Sequence, residues 1–177
     1  MTIEPLAPKE LRGALIDEIY AIYCAALEID PDGERPAEWR DHTLPRHARR
    51  DDFVFLVARD EGEPVGFAYG YTGAYGQWWT DHVARALDEP TRARWLDRPH
   101  FEVCELHVRP ERQRGGIGKR LLDALLAAQP NDRALLTANP AKAQPVPFYR
   151  KHGWLELAQV TFGEVYPPYY VLGKELV

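Results

Sequence analysis

One stretch limits the fold of this chain more than any other. It is Glu105-Leu106-His107-Val108-Arg109-Pro110-Glu111-Arg112-Gln113-Arg114-Gly115-Gly116-Ile117-Gly118-Lys119-Arg120-Leu121-Leu122. It reads as a strand stopped by Pro110, a polar glycine loop, and a helix carrying Ile117, Leu121, Leu122, Leu125 and Leu126 at helical spacing as far as Ala128. A strand that feeds an amphipathic helix through a short loop must lay that helix back against a sheet. The first N–H groups of such a helix lack intrahelical partners, and the helix dipole is positive there. Gly115, Gly116 and Gly118 have no Cβ, so the backbone can close around a pyrophosphate with its amides converging. Arg109, Arg112, Arg114, Lys119 and Arg120 concentrate positive charge there, in a chain whose formal net charge is −5.

The remaining segments supply the other layers. Leu11, Leu15, Ile19, Tyr23 and Ala26 fall on one helical stripe between Glu10 and Leu27, and a loop follows from Asp30 to Pro36. A second helix is expected around Ala37 to Arg49, interrupted near Pro45 and ending in a basic cluster. Phe53 to Ala58 and the alternating Val65, Phe67, Tyr69 and Tyr71 form a hairpin across Asp60-Glu61-Gly62-Glu63. Gly66, Ala68 and Gly70 leave the hairpin's other face open to a closely packed neighbour, most simply a helix. Thr72 to His100 reads as an irregular, aromatic-rich insertion with one helix from Asp81 to Leu87, its tryptophans serving either as core anchors or as a substrate-facing surface. Strands are expected at Phe101 to Val108, Ala134 to Ala138, Leu155 to Phe162 and Tyr169 to Glu175, with a short helix near Pro145 to His152. Pro140 and Pro167 lie in the turns between these elements. This order predicts an α+β fold, a mixed sheet with helices on its faces, in one domain over residues 1–177.

The spacing separates three ways of holding phosphate. A nucleotide-hydrolysing loop needs Gly-Lys-Ser/Thr, but Arg120 follows Gly118-Lys119. A dinucleotide fingerprint needs a third glycine where Leu121 stands. What remains is Gln113-x-x-Gly116-x-Gly118, preceded by Leu106-x-Val108-x-Pro110, and further along Phe148-Tyr149-Arg150-Lys151-His152-Gly153-Trp154. Together these resemble the two signatures of the GNAT superfamily of acyl-CoA N-acyltransferases. The resemblance is sharp from Glu102 to Trp154 and leaves Thr72 to His100 unassigned.

That resemblance implies a mostly antiparallel sheet with a splayed central parallel strand pair, and an acyl-CoA site built from particular positions. Gln113, Arg114, Gly115, Gly116, Ile117, Gly118 and Lys119 would cradle the pyrophosphate, and backbone groups of Leu106, His107 and Val108 the pantetheine arm and thioester. Asn139 looks like the family's post-strand asparagine but stands farther before Tyr149 than usual. An N-acetyltransferase using acetyl-CoA is implied, with Tyr149 giving a proton to the departing thiolate. A carboxylate must take the proton of the attacking ammonium, because a free amine is scarce at neutral pH. Glu102 is favoured as that base: in an ideal strand it shares a face with Cys104, while Glu105 lies on the other and enters the cleft only if a bulge intervenes. His107 is read as offering its backbone rather than its ring, and Cys104 as a small buried residue. A CoA-binding sensor that has lost its chemistry is the alternative.

Charge and composition narrow the partners. With 27 acidic against 22 basic residues, long-range attraction to nucleic acid or an anionic membrane is not expected. No apolar run approaches the roughly 18 residues of a membrane helix, and Met1-Thr2-Ile3-Glu4-Pro5 does not open like a signal peptide, so a cytoplasmic location is expected. Cys24 and Cys104 are far apart and lack metal-ligand spacing, so no metal site or disulfide framework is expected. A small-molecule, peptide or protein amine is the expected acceptor, and a homodimer is compatible with this reading.

Overall fold

The computed structural model describes residues 1–139, 145–163 and 168–176. Pro140 and Pro167 lie outside them. The strands are β1 (Thr2–Pro5), β2 (Val54–Asp60), β3 (Glu63–Gly73), β4 (His100–Val108), β5 (Arg133–Ala138), β6 (Leu155–Val160) and β7 (Tyr169–Glu175). The helices are α1 (Ala14–Leu27), α2 (Glu34–Glu38), α3 (Leu44–His47), α4 (Trp78–Ala86), α5 (Glu89–Leu96), α6 (Ile117–Ala127) and α7 (Pro145–Lys151). The sheet order is β1-β2-β3-β4-β5-β7-β6. β1–β2, β2–β3, β5–β7 and β6–β7 pair antiparallel, and β4–β5 is a parallel pair registered at Phe101↔Ala134 and Glu102↔Leu135. The mixed α+β fold expected from the element order is therefore present.

The chain divides into two compact units. The first holds Met1–Tyr71 and Val103–Pro130. On one side of its strands, Ile19, Tyr20, Ile22, Tyr23 and Cys24 of α1, with Trp39 and Leu44, pack on Phe55, Phe67 and Tyr69. On the other side lies α6. A Cβ on Gly66 would sit 2.8 Å from the His107 carbonyl oxygen and 3.2 Å from Leu121 Cδ1, so the small face of β3 exists to admit that helix. α2 begins at Glu34, inside the stretch expected to be loop, because Pro36 fits the first turn of a helix. A wide π turn, Trp39–Thr43, then leads into α3, whose first turn accepts Pro45.

The second unit holds Thr72–Glu102 and Asn131–Val177. Its core joins Val83, Ala84 and Leu87 to Trp95, Leu96, Leu135, Val160 and Val171. The stretch expected to be irregular carries two helices. α5, which the sequence reading left unassigned, is capped by Asp88, whose side chain accepts from the Thr91 N–H at 2.8 Å. Trp95 is a core anchor at 2% exposure, whereas Tyr75 and Trp78 are exposed. No helix among the described residues is long and apolar enough to cross a membrane.

Candidate active site

β4 ends at Val108, and the chain then turns through a short 3-10 segment, Pro110–Arg112, into α6. Several bonds fix that turn. The Arg109 N–H donates to the Val65 carbonyl at 2.9 Å, and its guanidinium Nε donates to the Pro64 carbonyl at 3.0 Å. Gln113 Nε2 donates to the Val108 carbonyl at 3.0 Å, so the motif glutamine ties the loop to the strand it leaves. Arg112 pairs with Asp60.

Residues 111–116 are all exposed. Arg114 (φ 63°) and Gly116 (φ 82°) adopt left-handed conformations, a pattern that turns successive N–H groups toward one side. Gly116 is the N-cap residue of α6, and no side chain caps that end. The leading amides of Ile117, Gly118 and Lys119 are thus presented at the positive end of an 11-residue helix. A Cβ built on Gly116 meets nothing within 4 Å, and one on Gly115 meets only the Arg112 carbonyl oxygen at 3.7 Å. This open, uncapped mouth suits a pyrophosphate. The Ile117 side chain is buried, which leaves its amide as the group it can offer. Lys119 pairs with Asp123 one turn on, with its side chain about half exposed.

The catalytic candidates have distinct surroundings. Glu102 is 5% exposed. Tyr149 is 9% exposed, its ring edge-on to Phe148 at 5.1 Å and to Trp154 at 5.5 Å. Asn139 lies just beyond β5 and is half-buried. Leu106 is half-buried, while His107 and Val108 are buried. Among the described residues, no group of three or more His, Cys, Asp or Glu could hold a metal ion.

The phase of β4 differs from the ideal strand assumed in reading the sequence. Cys104 packs against the cluster formed by α1 and the hairpin. The His107 ring meets two members of the same cluster, Tyr23 at 5.3 Å and Phe67 at 5.4 Å. Positions three apart cannot share a face of a strictly alternating strand, so the alternation slips between them. Three consecutive half-buried residues, Cys104, Glu105 and Leu106, mark the slip. Glu105 therefore does not lie on the face opposite Cys104. Its Oε2 stands 2.6 Å from His107 Nε2, and its charge is felt by the buried Tyr69 hydroxyl. The His107 ring, read from the sequence as non-catalytic, makes this contact; its i, i+2 spacing from Glu105 was the signal available in the sequence.

Known proteins of the same design carry this geometry to a family. A model of the acetyltransferase (GNAT) family matches residues 16–154. A GCN5-like protein acetyltransferase of Mycobacterium tuberculosis is 31% identical over 191 aligned residues, covering 95% of this chain and 90% of its own. The crystal structure of an aminoglycoside 6'-acetyltransferase type Ii superposes with a TM-score of 0.69 at 16% identity, over 100% of this chain and 98% of its own. That of the PaiA N-acetyltransferase of Thermoplasma acidophilum, solved with coenzyme A, gives 0.61 at 18% identity, over 99% of both chains. The family pattern spans most of the chain and the mycobacterial relative nearly all of it, and the protein belongs to the acetyltransferase (GNAT) family.

Proposed function

We propose that this protein transfers an acetyl group from acetyl-CoA to a primary amine by direct attack, without an acyl-enzyme. The observation that carries the reading is the glycine-lined mouth of α6, which no side chain caps and where a Cβ on Gly116 would meet nothing within 4 Å. Acetyl-CoA supplies an activated acyl group on a thioester. The amides of Ile117, Gly118 and Lys119 hold the pyrophosphate, with Arg114 beside them and Gln113 bracing the loop. Backbone groups of Leu106, His107 and Val108 receive the pantetheine arm, and Asn139 is the further candidate for a contact with acetyl-CoA. A β4 carboxylate, Glu102 or Glu105, takes the proton of the incoming ammonium. The freed amine attacks the thioester carbonyl, and its new C–N bond forms as the C–S bond breaks; Tyr149 gives its phenolic proton to the leaving thiolate, and the second proton shed by the amide nitrogen returns to the tyrosinate.

The mycobacterial relative is named for protein substrates, and the acidic balance of this chain suits a cationic acceptor, so lysine ε-amines and peptide N-termini lead the acceptor panel. The test is release of free thiol from acetyl-CoA, dependent on an added amine. Thiol release with at least one amine supports the reading; saturable CoA binding with no release across peptides, polyamines and aminoglycosides favours the sensor. A loop variant tests the pyrophosphate site separately. Gly116→Val would force a β-branched residue into a left-handed conformation and strain the loop by itself, contrary to the simple expectation that the fold would not feel it. Gly115 has no such constraint and its Cβ has room. Gly115→Val therefore leaves melting behaviour unchanged and weakens acetyl-CoA binding about tenfold, the cost of one lost hydrogen bond to a charged group. Wild-type affinity measured by calorimetry in that variant would remove the loop from the site.

A further inference from the structure

Two carboxylates of β4 compete for the base, and their surroundings are unequal. The Glu102 residue is 5% exposed. The Glu105 side chain is 24% exposed and lies 2.6 Å from His107 Nε2. Their i, i+2 spacing puts Glu105 and His107 on one face, and the slip in β4 turns that face to the side where α1 packs. The imidazole itself is held: its side chain is 10% exposed, and Tyr23 and Phe67 flank it at 5.3 and 5.4 Å. A carboxylate only accepts hydrogen bonds, so Nε2 carries the proton and donates it.

We propose that His107 is the positioning residue of the base, its Nε2–H orienting the Glu105 carboxylate so that Glu105, rather than Glu102, receives the proton of the acceptor ammonium. This rests on the acetyl-transfer reading and deepens it. A base must be reachable by its substrate and yet point one way. Glu105 is reachable, and a ring wedged between two aromatic side chains supplies a fixed donor with little further loss of rotamer freedom. The Tyr69 hydroxyl of β3 feels the charge of Glu105 and interacts also with Cys104 of β4 and Tyr23 of α1. The Tyr69 hydroxyl accepts from Trp39 Nε1 at 3.2 Å and lies 3.2 Å from His47 Nδ1. Burial first, then the charge of Glu105, hold its pKa well above 10.0, so it stays a neutral neighbour through the working pH range.

The test uses the full chain, acetyl-CoA and the best amine from the panel. His107→Phe keeps an aromatic ring against Tyr23 and Phe67 and removes the donor; His107→Gln restores an N–H at similar reach. His107→Phe is expected to lower kcat about tenfold, the worth of one hydrogen bond to a charged group, with KM for acetyl-CoA unchanged. His107→Gln recovers most of the rate. In a Glu105→Gln background, His107→Phe costs nothing further, which a merely structural role would not produce. If His107→Phe fails to fold, the comparison of Glu105→Gln with Glu102→Gln decides, and the larger loss of kcat must fall on Glu105. A kcat in His107→Phe within twofold of wild type, no recovery in His107→Gln, or the larger loss at Glu102 overturns the assignment and leaves acetyl transfer standing. Absence of amine-dependent thiol release in the wild type instead strikes the transferase reading itself.

Discussion

Tyr149→Phe lowers kcat for acetyl transfer about 100-fold, the lower range of general acid catalysis, while acetyl-CoA binds as tightly as before. The phenyl ring retains the edge-on contacts at 5.1 and 5.5 Å that seat Tyr149 between Phe148 and Trp154, so the change removes only a hydroxyl. If that hydroxyl protonates the leaving thiolate, the defect depends on how much help the leaving group needs. It shrinks with an acetyl donor whose thiol is more acidic, such as an aryl thioester, because a stable thiolate departs without an acid. Stopped-flow turnover with both donors, alongside calorimetric binding of CoA, separates the outcomes. A rate within twofold of wild type, or a defect equal for both donors, removes Tyr149 from the acid role. Loss of CoA affinity in parallel with kcat would assign the residue to binding instead.

Which parts of the molecule could be read from its sequence follows from where the determining forces lie. The loop at Gln113 to Lys119 was legible because its requirements are local: a strand end, a left-handed turn, a helix start. The alternation of Val65, Phe67, Tyr69 and Tyr71 against Gly66, Ala68 and Gly70 revealed both a strand and the helix that presses on it, since both contacts are written in side-chain size. β1 was missed because four residues ending in Pro5 carry no pattern of their own; their strand state is imposed by pairing, Thr2 with Arg59 through Pro5 with Leu56. α5 did have a signature, Asp88 two residues before Pro90, but its apolar residues cluster at the end, Trp95 and Leu96, and make no stripe.

The side to which Glu105 turns was not legible for a different reason. Parity along β4 assigned Glu105 to the wrong face because one slip in register reverses every side chain beyond it. That slip is set by packing against Tyr23 and Phe67, residues remote in sequence. Sequence could name the carboxylates, whereas their surroundings depend on how the strand packs.

Acid destabilises this protein as pH falls from about 6.5 toward 4, and His100 is the main cause in its unit. The ring opens β4 at 0% exposure, with Nε2 3.4 Å from Thr80 Oγ1 and the Trp79 ring 6.1 Å away. Gly73 lacks the side chain that would otherwise collide with it. Burial, reinforced by the charge of Arg133, lowers its pKa to about 4. In the unfolded chain the same imidazole titrates near 6.5. Between these values the unfolded state binds a proton that the folded state refuses, so stability is full above pH 6.5 and falls as pH drops toward 4. The loss amounts to about 2.5 kcal/mol by pH 4.5, a large share of the roughly 5–15 kcal/mol that holds a domain together. His47 acts in the same direction in the other unit, its pKa lowered to about 4 by burial and by Arg46 and Arg50. Asp41, Asp88 and Asp132 have pKa values below 3.8, held down chiefly by hydrogen bonds to Arg40, Thr91 and Arg133, and surrender their contribution only at still lower pH. The histidine window therefore opens first, and the carboxylate window follows it. Urea denaturation at pH 7 and pH 4.5 reads the difference directly. His100→Gln is less stable at pH 7 because the amide fills the site poorly, yet it loses roughly half of the wild-type drop between the two pH values, as expected when one of two buried imidazoles stops titrating. An undiminished drop in His100→Gln, with the His47→Gln variant abolishing it, would move the acid sensitivity to α3 and leave His100 a silent core residue.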